Sequence, residues 1–475
     1  MVTGFTSGLL WMTGKAFVIA LILTPIIRDI SRSFNVLDRP GKRKVHVYPL
    51  PRVGGVAIAV AYGVSLISFS GSSLPAADAI PAWRLLPAAA LVFLTGLVDD
   101  IFSLKPIVKV LGLAAAATVA YFSGIRMGGL ADQPLGMWLE LPLTVLWLVA
   151  TSNALNLIDG LDGLCAGMGL MSTLALFTAA VLHHNYPLAY ATLPLAGALL
   201  GFLCYNINPA TVFLGDSGAL LIGFLLGCYG MIWTQKAATL LSMMVPLLAL
   251  SVPLLDVSLS VLRRFLRRQP IFTADRGHIH HRLLDRGLSA RQAVWVLYLF
   301  AALAAAMALL ASSFLGTRYQ GFIILAFCGV ALIGIRQLRY LEFGIASRLL
   351  FRGEFHRTVN VRLQVESVAA ALEGASSEEE WWGALIRSTS ALNLTAVRWT
   401  GPHGGRENRK PGGEFSWSFS LPLSESDTIE LEGGFSSSPG SLDLVGLGEA
   451  MQRTFRAKLS NWRPASAGRV SPVLP

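Results

Sequence analysis

Apolar runs recur along the first 340 positions between short polar breaks, most of them long enough to cross a bilayer core of roughly 30 Å as a helix. Eleven such runs are expected near residues 8–27, 53–70, 85–98, 106–124, 138–157, 164–182, 187–205, 217–233, 238–256, 293–312 and 320–335. Backbone groups in hydrocarbon must be satisfied internally, so the runs predict a helical bundle. The first run has no basic stretch before it and leads into a strongly basic loop, which favours a retained anchor over a cleaved signal peptide.

Near residue 340 the pattern changes. A basic connector with Arg348, Arg352, His356 and Arg357 leads into a segment of mixed polarity. Ser376 and Ser377 followed by Glu378, Glu379 and Glu380 read as a helix start, alternation near 395–400, 414–422 and 428–432 as strands, and 444–460 as a last helix. The stretch Gly401 to Gly413 reads as a mobile loop and the final dozen residues as disordered. The expected architecture is an all-α polytopic membrane protein of about eleven spans over residues 1–340, followed by a small soluble α+β domain over 341–475.

Composition agrees: 475 residues, 53% hydrophobic and 14% charged, give a mean hydropathy of +0.58, outside the range of ordinary soluble globules. The basic residues orient the bundle. Arg28, Arg32, Arg39, Lys42, Arg43, Lys44 and Arg52 crowd one loop, and Arg263, Arg264, Arg267, Arg268, Arg276, Arg282, Arg286 and Arg291 another. Both loops are expected on the cytoplasmic side of the membrane, with the C-terminal tail, and the N-terminus outside. The net charge of +10 is not read as nucleic-acid binding, because the cations sit beside spans without a nucleic-acid motif; anionic headgroups and phosphates suit them better. Cys165, Cys204, Cys228 and Cys328 stand singly in apolar runs, without metal spacing, and read as packing residues.

Four polar clusters fall in loops assigned to that one side. Asp99 and Asp100 close the third run in DDIFSLK, which ends at Lys105. Two adjacent carboxylates repel each other and lie badly at the negative end of a helix. A charge within a bundle costs about 2.5–3.5 kcal/mol, so a cation or titrating substrate is expected there. NALNLIDGLDGL carries Asn153 and Asn156, then Asp159 and Asp162, each pair at i, i+3 and so on one face if helical. NINPATVFLGDSGAL carries Asn208 and places Asp216 at a helix start, where a plain N-cap is the bland alternative. ADRGHIHHRLLDRG supplies Arg276, His278, His280, His281 and Arg282, and KRKVHVYPLPRVGG adds Lys44, His46 and Arg52. Without HExxH or a cysteine partner the histidines do not read as zinc ligands. Acidic oxygens facing basic residues suit a divalent ion held against a diphosphate.

At these residues the chain resembles the polyprenyl-phosphate N-acetylhexosamine-1-phosphate transferases of glycosyl transferase family 4. DDIFSLK, NLIDGLDG, FLGDSG and GHIHHRLL occur in the family's order across roughly residues 10–335. The HIHHRLL form resembles the branch that uses UDP-N-acetylglucosamine rather than the pentapeptide transferases of peptidoglycan synthesis. The resemblance implies Mg²⁺ as cofactor, with Mn²⁺ as a substitute, a UDP-N-acetylhexosamine donor and a polyprenyl phosphate acceptor.

It also implies site roles: Asp99, Asp100, Asp159, Asp162, His278, His280 and His281 as catalytic residues, and Asp216 with Asn156 at the metal. Lys44, His46, Arg52, Lys105, Asn153, Asn156, Asn208, Arg276 and Arg282 are expected to bind substrate. A homodimer and a protein partner for the C-terminal domain are further expectations. The rival from another class, an ion-coupled transporter, would place its acids near the bilayer midplane in paired halves. These acids gather at one side, and no internal repeat is visible.

Overall fold

The computed structural model describes residues 2–38, 49–68, 82–127, 136–236, 243–266, 277–338, 366–391, 394–402, 404–409, 417–433 and 444–462. The chain divides into two compact units, Met1–Arg339 and Tyr340–Pro475.

The first unit is helical. In chain order it contains α1 (Val2–Ser33), a two-strand ladder of β1 (Leu37–Asp38) and β2 (Leu50–Pro51), α2 (Gly55–Ile67), α3 (Leu86–Phe102), α4 (Pro106–Phe122), α5 (Met137–Ile158), α6 (Leu164–Leu182) and α7 (Tyr186–Asn206). There follow α8 (Gly215–Lys236), α9 (Met244–Ala249), α10 (Ser251–Leu266), α11 (Ile279–Asp285), α12 (Ala290–Ser312) and α13 (Phe314–Gln337).

Among the described residues eight helices are long and apolar enough to cross a membrane, so the chain is a polytopic helical membrane protein. The expected count of eleven is not what these helices give. The second and fourth expected spans form the shorter helices α2, of 13 residues, and α4, of 17. The ninth is broken between α9 and α10. Pro253 has no N–H to give to the Ala249 carbonyl one turn back, and that carbonyl instead accepts from Ser172 Oγ at 2.6 Å. Past the break, α10 carries Asp256 at the last position of the expected span and Arg263 and Arg264 beyond it.

From Ser217 to Thr234 α8 is buried throughout, packed against α3 and α5. A central helix has no lipid face, so close approach rather than apolar area decides its residues. At Gly96 a Cβ would lie 2.6 Å from the Asp216 carbonyl and from Ser217 Cα, so only glycine lets α3 sit this close to the start of α8. The outward faces of α1 and α12, with exposed Leu10, Trp11, Ile22, Trp295 and Leu299, are apolar as lipid contact requires.

The second unit holds a four-stranded antiparallel sheet in the order β4 (Gly404–Arg409), β3 (Leu394–Gly401), β6 (Thr428–Gly433), β5 (Trp417–Pro422). With it are the helices 366–374, Glu378–Ala391 and Leu444–Trp462. The helix at Glu378 starts where the serine-glutamate pattern puts it: Glu380 N–H donates to Ser377 Oγ at 3.2 Å, and Glu380 Oε2 accepts from Ser376 N–H at 2.8 Å. Trp381, Leu385, Val397, Trp399, Leu431, Leu447, Met451 and Phe455 form its core.

The expected loop from Gly401 to Gly413 is corrected in part, because β4 lies within it. Arg406 to Arg409 are polar throughout; pairing with β3 brings Glu407 to Arg398 at 3.3 Å, and Arg409 reaches past β3 to Glu432 of β6 at 2.8 Å. Cross-strand ion pairs replace the apolar alternation by which a strand is usually read. The connector at 348–357 and the last thirteen residues lie outside the described residues.

Candidate active site

The polar clusters from different parts of the sequence meet at one end of the bundle. The end of α3, the starts of α4 and α8, the end of α5 and the helix α11 contribute to it.

Asp100 is 2% exposed, and its carboxylate accepts the backbone N–H of Asp216 on Oδ1 and of Ser217 on Oδ2, each at 2.9 Å. One helix thus caps another: the negative charge ending α3 sits on the positive N-terminus of α8. The preceding Gly215 has φ +75°, a conformation few other residues adopt, and a Cβ there would lie 2.7 Å from Asp100 Oδ2. The bland reading of Asp216 as its own helix cap is therefore wrong. Its carboxylate is released from the backbone and turned toward other side chains.

Lys109 of α4 receives those side chains. Its ammonium pairs with Asp99 Oδ2 at 2.9 Å and with Asp216 Oδ2, while Asn156 Nδ2 donates to the same Asp216 oxygen at 3.3 Å. Asp99 Oδ1 accepts the Leu104 N–H at 2.7 Å. Lys109 is absent from the sequence-derived candidates, since a single lysine at the start of an apolar helix reads as an interfacial charge. Its signal is position, one helical turn beyond Lys105 and downstream of two consecutive carboxylates that need a cation.

Arg52 belongs to the same corner but faces the backbone. Its Nε donates to the Asp100 carbonyl at 2.8 Å, and Nη2 donates to that carbonyl and toward that of Asp99. It neutralises the negative end of α3, which answers the repulsion expected there. The β2–α2 loop is in turn fastened to the chain before α8 by Phe213 N–H to the Pro51 carbonyl and by the Gly54 and Gly55 N–H groups to the Phe213 and Leu214 carbonyls.

NLIDGLDG does not continue as a helix, because α5 ends at Ile158. Asp159 and Asp162 consequently do not share a helical face, which corrects the i, i+3 expectation. Asp159 stays within the acidic corner. Desolvation, then the charges of Asp216, Asp100 and Asp162, raise its pKa well above the usual carboxylate range.

Asp162 instead holds the loop before α8. Its Oδ2 accepts Asn208 Nδ2 at 2.9 Å and the Ala210 N–H at 3.0 Å, and Arg291 Nε donates to Asn208 Oδ1 at 2.8 Å. Asn153 turns back into α5, bonding the Val149 carbonyl at 2.8 Å, and does not join Asn156. Lys105 is exposed just before α4.

The histidines form the facing wall. His278 and His280 stack at 5.8 Å with rings 9° from parallel, and His281 lies 4.3 Å from His280. A Cβ on Gly160 would strike the His280 ring, so this glycine lets the turn after α5 meet α11. Burial, then the neighbouring His281, lowers the His280 pKa to about 4. Arg282 is half-buried on α11. Lys44, His46 and Arg276 lie outside the described residues.

Among the described residues no three or more His, Cys, Asp or Glu side chains come close enough to hold a metal ion by themselves. Asp99 and Asp216 nevertheless converge on one cation, the Lys109 ammonium, and present only hard oxygen donors. Such a pair fits Mg²⁺ or Mn²⁺ completed by substrate phosphate, a use in which Mg²⁺ keeps one or two carboxylates.

Fold and corner together define a polytopic membrane protein with a cluster of acids and a cation at one end of its bundle. The glycosyl transferase family 4 model matches residues 82–234, the stretch containing Asp99, Asp100, Lys109, Asn156, Asp159 and Asp216. A Bacillus subtilis protein named as a probable undecaprenyl-phosphate N-acetylglucosaminyl 1-phosphate transferase is 34% identical over 294 residues, covering 60% of this chain and 80% of its own. A decaprenyl-phosphate N-acetylglucosaminephosphotransferase of Mycolicibacterium smegmatis is 34% identical over 324 residues, covering 60% of this chain and 77% of its own. A phospho-N-acetylmuramoyl-pentapeptide-transferase of Desulforudis audaxviator is 32% identical over 244 residues, covering 44% and 72%. The chain belongs to glycosyl transferase family 4.

Proposed function

We propose that the protein is a membrane phosphosugar transferase that moves N-acetylglucosamine 1-phosphate from its UDP-sugar to a polyprenyl phosphate, releasing UMP and starting a cell-envelope polysaccharide. The carrying observation is the convergence of Asp99 and Asp216, from helices far apart in sequence, on a single cation at the end of the bundle that also carries the histidines. The likeness to N-acetylglucosaminyl 1-phosphate transferases over most of those relatives' length supports the sugar, and the pentapeptide transferase matches a smaller share of this chain.

In this reading an oxygen of the lipid phosphate attacks the sugar-linked phosphorus, the bond to UMP breaks, and a lipid diphosphosugar forms. Mg²⁺, when bound by Asp216 and Asp99 with Asn156 beside them, supplies charge neutralisation on the diphosphate. Lys109 carries part of the same duty, since it already sits between the two carboxylates. Asp99 orients the lipid phosphate, Asp100 holds the start of α8, and His278, His280, His281 and Arg282 line the phosphate side. Both oxygens of Asp99 and of Asp100 are held by protein donors, which favours direct transfer over a covalent aspartyl intermediate. In this reading the site and the C-terminal unit face the cytoplasm at a bacterial inner membrane, a topology that the basic residues of the two loops support.

Membranes containing the protein are incubated with radiolabelled UDP-N-acetylglucosamine, polyprenyl phosphate and Mg²⁺. Label in the lipid fraction with equimolar UMP is expected, whereas incorporation only from the UDP-N-acetylmuramoyl-pentapeptide donor, run in parallel, would move the protein to the other branch.

A further inference from the structure

Behind the histidine wall, α10 turns a polar stripe toward the chain entering α11. Asp256, Ser260 and Arg263, at i, i+4 and i+7, share one helical face. Asp256 is 1% exposed. Its Oδ1 accepts the Ile279 N–H at 2.7 Å, and its Oδ2 lies 2.8 Å from His278 Nδ1. Ser260 Oγ stands 3.3 Å from that same nitrogen. Arg263 closes the frame, donating from Nη1 to the Gly277 carbonyl at 3.0 Å and from Nη2 to Ser260 Oγ at 3.2 Å.

We propose that Asp256 is a positioning residue that fixes the tautomer of His278, putting the proton on Nδ1 and leaving Nε2 as the nitrogen available to substrate. This rests on the transferase reading of the site. A buried carboxylate can only accept, so the nitrogen 2.8 Å from it must carry hydrogen. Nε2 has no hydrogen-bond partner among the described residues. In this tautomer Nε2 accepts a hydrogen bond or a proton from a substrate O–H, and the imidazolium formed by the proton stays paired with Asp256. Asp256 also sets where the ring lies, because its other oxygen holds the first N–H of α11.

The Asp256→Asn exchange separates this role from simple support. An amide has one oxygen, and the buried Ile279 N–H claims it. The NH₂ group then faces His278 Nδ1, which must give up its proton, and the ring is forced into the Nε2–H tautomer. The expected result for D256N in detergent is a retained fold, a kcat about 100-fold lower and a KM for UDP-N-acetylglucosamine within a few-fold of the parent.

Nitrogen-15 NMR of histidine-labelled protein, with the His278 signals identified by their loss in H278Q, should report Nδ1–H in the parent and Nε2–H in D256N. A D256N enzyme at full kcat, or a parent His278 protonated on Nε2 alone, overturns the proposal. If D256N does not fold, the parent tautomer by itself still decides. Absence of lipid labelling by the parent would count against the transferase reading, whereas the NMR result tests the Asp256–His278 pairing independently of turnover.

Discussion

The carboxylate of Asp100 holds the backbone N–H of Asp216 at 2.9 Å, so the residue beside one candidate catalytic acid builds the backbone of the other. A charge that would be costly at the end of α3 becomes the cap of the buried helix α8, and the Asp216 side chain is left free for Lys109 and Asn156. The two members of the acidic pair thereby take different duties: Asp99 faces the cation and Asp100 faces the backbone.

That division predicts different phenotypes. Asp100→Ala leaves two N–H groups without acceptors, at a cost of about 1–3 kcal/mol each, and loosens the start of α8. Its melting temperature in detergent should fall together with turnover. Asp216→Asn keeps the helix start and should melt close to the parent while losing Mg²⁺-dependent transfer. Equal thermal losses in the two variants would contradict the assignment, and retained transfer in D216N would remove Asp216 from the metal.

Lys109→Met should expose the reason for the lysine. Without the ammonium, Asp99 and Asp216 face each other uncompensated, and breaking a largely buried pair costs about 3–5 kcal/mol. Transfer should fall by two orders of magnitude or more. A divalent ion can occupy the vacated position, and a ligand that binds only the folded state stabilises it. Added Mg²⁺ should therefore raise the melting temperature of K109M by more than that of the parent. The same Mg²⁺ response in both proteins would show that Lys109 and the ion do not share these carboxylates.

The sequence made most of this corner legible because its acids and histidines are expensive in an apolar chain and so stand out against it. Apolar length also located the helices, although α2 and α4 are too short, and the ninth run too broken at Pro253, to be read by length alone. Partnership could not be read. Arg52 looks like a phosphate ligand in a basic loop, and its contact with the end of α3 is not visible there. Asp162 looks like a partner of Asp159 and instead pins Asn208 and Ala210. Lys109 and Asp256 passed unnoticed because each stands alone in its segment, and its meaning comes from a helix distant in sequence. The strand β4 is hidden for a different reason: it has no apolar position, and its side chains pair with the neighbouring strands by charge.

His280 supplies a pH dependence. Its folded pKa of about 4 lies below the ordinary histidine value of 6.5, so the unfolded chain takes up the proton first as pH falls. The neutral ring's contribution is complete above 6.5 and is lost progressively down to about 4. The melting temperature should drop across that window, and His280→Gln, which cannot be protonated, should flatten the drop. A parent whose stability is level from pH 7 to 4, or a variant with the same slope, would mean that this histidine is not held neutral.

The C-terminal unit should be dispensable for transfer. Its core of Trp381, Leu385, Trp399, Leu431, Met451 and Phe455 is internal to it, and every residue assigned to the cleft lies between Lys44 and Arg291. A chain ending after residue 355 therefore loses no group that touches phosphate, sugar or metal. It should insert, bind Mg²⁺ with the parent's affinity and transfer labelled sugar at a kcat within a few-fold of the parent's. If the truncated chain inserts and melts normally yet transfers nothing, the second unit is part of the catalytic machinery. If activity survives but the amount of lipid-linked sugar formed in cells changes, the unit acts on regulation or docking instead.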